Sequence, residues 1–262
     1  MQRRDFATAL AAALTAPTFI GASPAEAADR GGPGGGKGLT EHMRKVLADE
    51  IDDPRTARTL APHLYDVGFD WHPETAELER FDFVVAYGFG NRPAKSGDPA
   101  STLPEPGPVN EDLADTVARI RSRRNIPVYA QWEIARFLDS KYGMTGVTSI
   151  EPVIAADGTI TYLSTDGVAA QVLEHRKKAP GGIGTACVVG FADHHKRCVQ
   201  TTRGQGMTAY APRGVAMPRT YDPESGQEWT RRRDLYLVHD MAAQWQVLRA
   251  KLIAQASTAS TA

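Results

Sequence analysis

The chain has 262 residues, two cysteines and a formal net charge of -1. That balance leaves no large electrostatic footprint for nucleic acid or anionic lipid, and two cysteines do not make a disulfide scaffold. Cys187 falls in an apolar strand and Cys198 in the helix after it, so both read as packing thiols.

The first residues read as an export signal. Gln2-Arg3-Arg4-Asp5-Phe6 is a positive start, residues 7–20 are a mild apolar run, and Ala25-Glu26-Ala27 is a small-residue cleavage site. Paired arginines before an Ala- and Thr-rich run point to twin-arginine export over 1–27, with an ordinary secretory signal as the other reading. The run falls short of the ~20 residues that a membrane span needs. The expected product is extracytoplasmic, secreted or wall-associated after cleavage near Ala27, with no membrane span. The Gly-rich stretch 28–38 reads as a flexible leader. Residues 39–256 read as a single α/β domain of about 220 residues, and 257–262 as a small, polar, frayed tail.

Helices are expected over 40–47 and 57–65. A strand over 81–87 runs into Gly88-Phe89-Gly90-Asn91, and a Pro/Gly-rich loop follows over 93–108, longer than a scaffold connection requires. Asn110 is the expected cap of a helix reaching about residue 123. A strand over 126–130 precedes Gln131-Trp132 and a helix over 133–138; a third strand is read over 159–163. Asp166 is the expected cap of a helix over 168–178. The most apolar strand, 185–191, is the natural centre of the sheet. A helix over 194–203, a strand over 208–211 and a long helix from Asp234 to about residue 254 complete the chain. Strands alternating with helices give a parallel sheet covered by helices on both faces.

In such sheets ligands bind beyond the carboxyl ends of the strands, where helix N-termini offer free N–H groups. Gly88 and Gly90 would let the backbone approach a ligand, with Asn91 beside them and Arg92 available to an anion. A plain turn explains these glycines equally well, and the third glycine of a dinucleotide fingerprint is missing. At the second strand end stand Gln131 and Glu133; Glu133 is either an acid/base group or a charge that favours the helix start. Ser164-Thr165-Asp166 is first a capping sequence, with hydroxyls that could also meet a ligand.

The densest cluster is Asp193-His194-His195-Lys196-Arg197. Histidine shuttles protons near neutral pH, and arginine holds a carboxylate or phosphate bidentately. A charged, solvated helix start is the alternative. The catalytic candidates are therefore His194, Glu133 and Asp193, with Arg92 and Arg197 as an anion clamp and no metal ligand set. The expected partner is a small polar or anionic ligand. The sequence specifies no cofactor and no oligomeric state.

The order of these motifs resembles the SanA/YdcF-like family of bacterial envelope proteins, which includes the ElyC type. Gly88 and Gly90, then Gln131 to Glu133, then Ser164 to Asp166, then His194-x-x-Arg197, then Gly206 and the strand after it match that order over about 81–212. The family's usual Ser-Gly-Gly is Ala130-Gln131-Trp132 here, and Leu163-Ser164-Thr165-Asp166-Gly167 replaces its Thr-x-Glu-Asn. The resemblance implies a Rossmann-like sheet, a role in envelope or cell-wall metabolism and a nucleotide-like or phosphorylated ligand. The first reading is an exported enzyme acting on such a ligand; the alternative is a non-catalytic protein that uses the same crevice to hold a wall precursor. Asp193-His194-His195 also resembles one motif of the manganese-dependent DHH phosphoesterases, although the first strand supplies no Asp-x-Asp to complete a two-metal site.

Overall fold

The computed structural model describes residues 35–98 and 100–259. The expected signal over 1–27, the leader up to residue 34 and residues 260–262 lie outside the described residues. The chain divides into two compact units, Met1–Pro62 and His63–Ala262, so the stretch 39–256 crosses that division.

In the first unit, helix α1 (Gly35–Ile51) begins inside the stretch read as leader. Asp52 leaves the helix with φ 49°. The Asp53 carboxylate then accepts the backbone N–H groups of Arg55 and Thr56 at 3.0 Å each. That cap, with Pro54 in the first helical position, starts α2 (Pro54–Gly68).

The second unit is a Rossmann-like α/β body. Its strands are β1 (Thr75–Ala76), β2 (Phe83–Ala86), β3 (Val128–Gln131), β4 (Val147–Ile150), β7 (Thr185–Val189) and β8 (Thr208–Pro212), and they form one six-stranded sheet in the order β1-β8-β7-β2-β3-β4. Every pairing in it is parallel. Between the strands lie α3 (Pro108–Arg123), α4 (Trp132–Tyr142), α5 (Thr165–Lys178) and α6 (His195–Gly204), and α7 (Arg233–Ala259) is the long final helix.

Side chains alternate across a pleated strand, and β2 shows what that does. Val84 and Ala86 join the core under α3 and α4, with Leu113, Val117, Ile134 and Leu138. Phe83 and Val85 join the opposite core, with Val168 and Val172 of α5 and Val199 of α6. All four strand residues are buried, because the strand is covered on both faces.

Several expected details change. The strand read over 159–163 shrinks to β6 (Ile160–Thr161), which pairs antiparallel with β5 (Val153–Ile154) in a separate two-stranded hairpin. The main-sheet strand there is β4, which is short and only half-buried. Asn110 does not cap α3: the capping position is Gly107, whose φ of 78° suits glycine. Asn110 instead accepts the Phe89 N–H and donates to the carbonyls of Gly90 and Pro106. Ser164, not Asp166, caps α5, its hydroxyl accepting the Gly167 N–H at 3.1 Å. α7 continues to Ala259, into the stretch expected to fray. Cys187 and Cys198 are free and buried. Among the described residues no helix is long and apolar enough to cross a membrane.

Candidate functional site

Ala86 lies level with Ala130 on one side and Val189 on the other. The segments after β2, β3 and β7 therefore leave the sheet at one edge. The helix after β2 packs on one face and the helix after β7 on the other, which is where a parallel sheet opens a crevice.

Here that crevice is filled. The Phe89 ring stacks on Phe191 with centroids 4.0 Å apart, and Tyr236 and Tyr221 pack edge-on against the pair. The glycine turn is also occupied. Gly88 donates its N–H to Gln131 Oε1 at 3.0 Å. Gly90 has φ 67°, and a Cβ there would sit 2.8 Å from Ser225 Oγ and Thr230 Oγ1. Asn91 is buried, and its carbonyl accepts the Gly226 N–H. Gly90 serves close packing of the turn against Ser225 and Thr230, Gly88 packs against Gln131 and Asn110, and the N–H groups of Gly88 and Phe89 have partners inside the fold.

The two arginines read as an anion clamp are both engaged. Arg92 holds Asp222 through two hydrogen bonds of 2.9 and 3.1 Å and reaches Glu224 at 3.0 Å. Asp222 pulls the Arg92 guanidinium up, and Arg92 pulls the Asp222 carboxyl down. Arg197 binds Asp240 Oδ1 at 2.5 Å and also donates to Thr165 Oγ1 and the Tyr236 hydroxyl.

His194 is buried against this second pair. Its Nε2 lies 3.4 Å from Thr165 Oγ1, which joins the start of α5 to the start of α6. Its Nδ1 stands 3.6 Å from Asp240 Oδ1, too far for a hydrogen bond, so the contact is Coulombic. Burial and the neighbouring Arg197 charge lower the imidazole pKa to about 4, against the pull of Asp240. Burial alone would raise Asp240, but His194 and Arg197 outweigh it and take the carboxyl to about 2. Gln244 completes the group by donating to Asp240 Oδ2 at 2.7 Å. Tyr236, Asp240 and Gln244 stand four residues apart on one face of α7. That polar i, i+4 stripe in a helix was the one signal in the sequence that could have found them.

The rest of the cluster separates. Asp193 is held by the Tyr221 hydroxyl and by two hydrogen bonds from Arg233. His195 bonds the Val188 carbonyl through Nε2 at 2.8 Å, and burial lowers its pKa to about 4. Lys196 reaches back to Asp66 and to the Asp70 carbonyl. Asp166 turns to Gln205. No group of three or more His, Cys, Asp or Glu is placed to hold a metal among the described residues.

Glu133, like His194 at Nδ1, departs from this pattern of satisfied groups. It opens α4 directly after β3, is 2 % exposed, and its Oε2 has no hydrogen-bond partner. Burial raises its pKa to about 8, Glu151 adds repulsion, and Arg136 and Gln131 oppose the shift only partly. Two further buried polar atoms nearby in the chain and fold are unpartnered, Trp132 Nε1 and the Tyr162 hydroxyl. Tyr162 feels the charges of both Glu133 and Arg136. Arg136, one helical turn after Glu133, is exposed; its guanidinium lies 4.5 Å from the Trp132 ring centroid and forms no ion pair among the described residues. The sequence marked Glu133 but missed Arg136 and Tyr162, because nothing in a lone arginine or tyrosine distinguishes it from a surface residue.

No family model, curated protein or solved structure matches the chain.

Proposed function

We propose that the chain is an enzyme acting on a small anionic envelope metabolite, phosphorylated or nucleotide-like, with Glu133 as its proton donor. The observation that carries this reading is the buried Glu133 carboxyl, whose Oε2 has no hydrogen-bond partner; burial pushes its pKa up to about 8, which favours the protonated form at neutral pH. A general acid needs a pKa near the working pH, and burial is how a carboxylic acid reaches it. Arg136 is the cation free to meet the anion, in place of Arg92 and Arg197, whose charges are already matched by Asp222 and Asp240.

His194 supplies the other half of the chemistry in this reading. Burial keeps the imidazole neutral and its Nδ1 has no hydrogen-bond partner, so in this reading it takes up a proton with Asp240 stabilising the imidazolium. Two groups pushed in opposite directions at one sheet edge suit acid and base roles. The envelope setting rests on the twin-arginine start and on the resemblance to the SanA/YdcF-like proteins.

The test is turnover of a panel of phosphoesters and cell-wall precursors by the purified chain. Glu133→Gln should lower kcat by about a hundredfold or more, the usual size of a lost general acid, with substrate binding kept. Binding without turnover, equal in wild type and Glu133→Gln, would favour the non-catalytic reading instead.

A further inference from the structure

A cavity lies apart from Glu133. It is a cleft of about 860 Å³ between the segment that enters β1 and the carboxyl end of β8, reaching the segment after β7, within the about 300–1,000 Å³ of small-molecule sites. Trp71, Val215 and Met217 give it apolar walls. Arg219 and Arg233 also line it, with Asp193.

The charges do not balance. Arg233 spends two donors on Asp193, yet its side chain remains 69 % exposed. Arg219 is exposed and has no ion pair or hydrogen bond among the described residues. Two guanidiniums against one carboxylate leave one net positive charge in the cleft. The backbone beside Arg219 is fixed, since the Pro218 carbonyl accepts the Ala192 N–H at 2.8 Å and ties this segment to the end of β7. An anchored, unpaired arginine at the mouth of an apolar cleft fits a ligand that is part anion and part flat apolar body.

We propose that this cleft is a binding site for a small ring-bearing phosphate or carboxylate, with Arg219 meeting the anion and Trp71 the ring. The site is independent of the Glu133 reading and stands or falls separately.

The experiment is saturation-transfer NMR and calorimetry on the purified chain with phenyl phosphate and with benzoate, using phenol and inorganic phosphate as controls. At least one of the two aryl anions should bind saturably, about tenfold or more tighter than either control. The tighter of the two names the anion. Arg219→Glu should weaken it by about tenfold or more, through like-charge repulsion, with an unchanged circular dichroism spectrum. Glu133→Gln should leave this binding as it is. The site is overturned if neither aryl anion saturates at millimolar concentration, if Arg219→Glu binds as wild type does, or if Glu133→Gln abolishes the binding.

Discussion

The Gly88 N–H points at Gln131 Oε1, 3.0 Å away, and so joins the ends of the neighbouring strands β2 and β3. A turn that looks in sequence like a cradle for a ligand is thereby closed by a side chain of its own fold. The same holds at Arg92 and Arg197, each neutralised by a carboxylate that lies more than 40 positions further on. Among the described residues the buried side-chain atoms without a hydrogen-bond partner are Glu133 Oε2, Trp132 Nε1, the Tyr162 hydroxyl and His194 Nδ1, and the proposed chemistry rests on Glu133.

Glu133→Gln should stabilise the fold while removing activity. The folded value near 8 lies above the ordinary 4.5, so the folded chain keeps a proton that the unfolded chain releases. Stability therefore falls as pH rises from about 4.5 to about 8. Urea melts at pH 8 should show the variant more stable by on the order of 1–3 kcal/mol, with a smaller gain at pH 5. A variant less stable than wild type at pH 8 would count against the orphaned carboxyl.

His194 and His195 give the opposite slope on the acid side. Both have folded values near 4, below the usual 6.5, so the unfolded chain takes up protons first. Their contribution is complete above pH 6.5 and drains away as pH falls towards 4, by about 1.4 kcal/mol per unit for each imidazole. Melts between pH 7 and 4 check this. Replacing His195 by Gln should flatten the slope by about one proton's worth.

Asp240→Asn should be costly without touching any exposed surface. The Asp240 side chain is 1 % exposed and balances the Arg197 guanidinium, itself only 16 % exposed. Breaking one side of such a pair costs about 3–5 kcal/mol. The double change Asp240→Asn with Arg197→Met should recover part of that loss, measured as a double-mutant cycle in denaturant.

Gly90→Ala tests the packed turn. Its φ of 67° disfavours a side chain, and the new methyl would meet Ser225 and Thr230 at 2.8 Å. A loss of about 1–3 kcal/mol is expected. An unchanged melting temperature would mean that the turn is open enough to serve a ligand after all.

The layered fold was legible because its strands are apolar runs with turn residues at their ends. Val84, Val85, Cys187 and Val188 carry no polar side chain to hide, so the parallel, doubly covered sheet follows from them. β4 was missed because Val147-Thr148-Ser149-Ile150 is short and half-polar, and β1 because two residues make no pattern. Glu133, His194 and Thr165 were visible as polar residues at strand ends. The partners of Arg92, His194 and Arg197 were not, since Asp222, Asp240 and Tyr236 reach them only through tertiary packing.

The most direct test is the titration of the Glu133 side-chain carboxyl, followed by carbon-13 NMR in the folded wild-type chain and assigned with Glu133→Gln. A midpoint near 8 is expected, with the carboxyl protonated at neutral pH. A midpoint near the ordinary 4.5 would leave Glu133 an ionised helix-start residue, and the proposed proton donor would be gone.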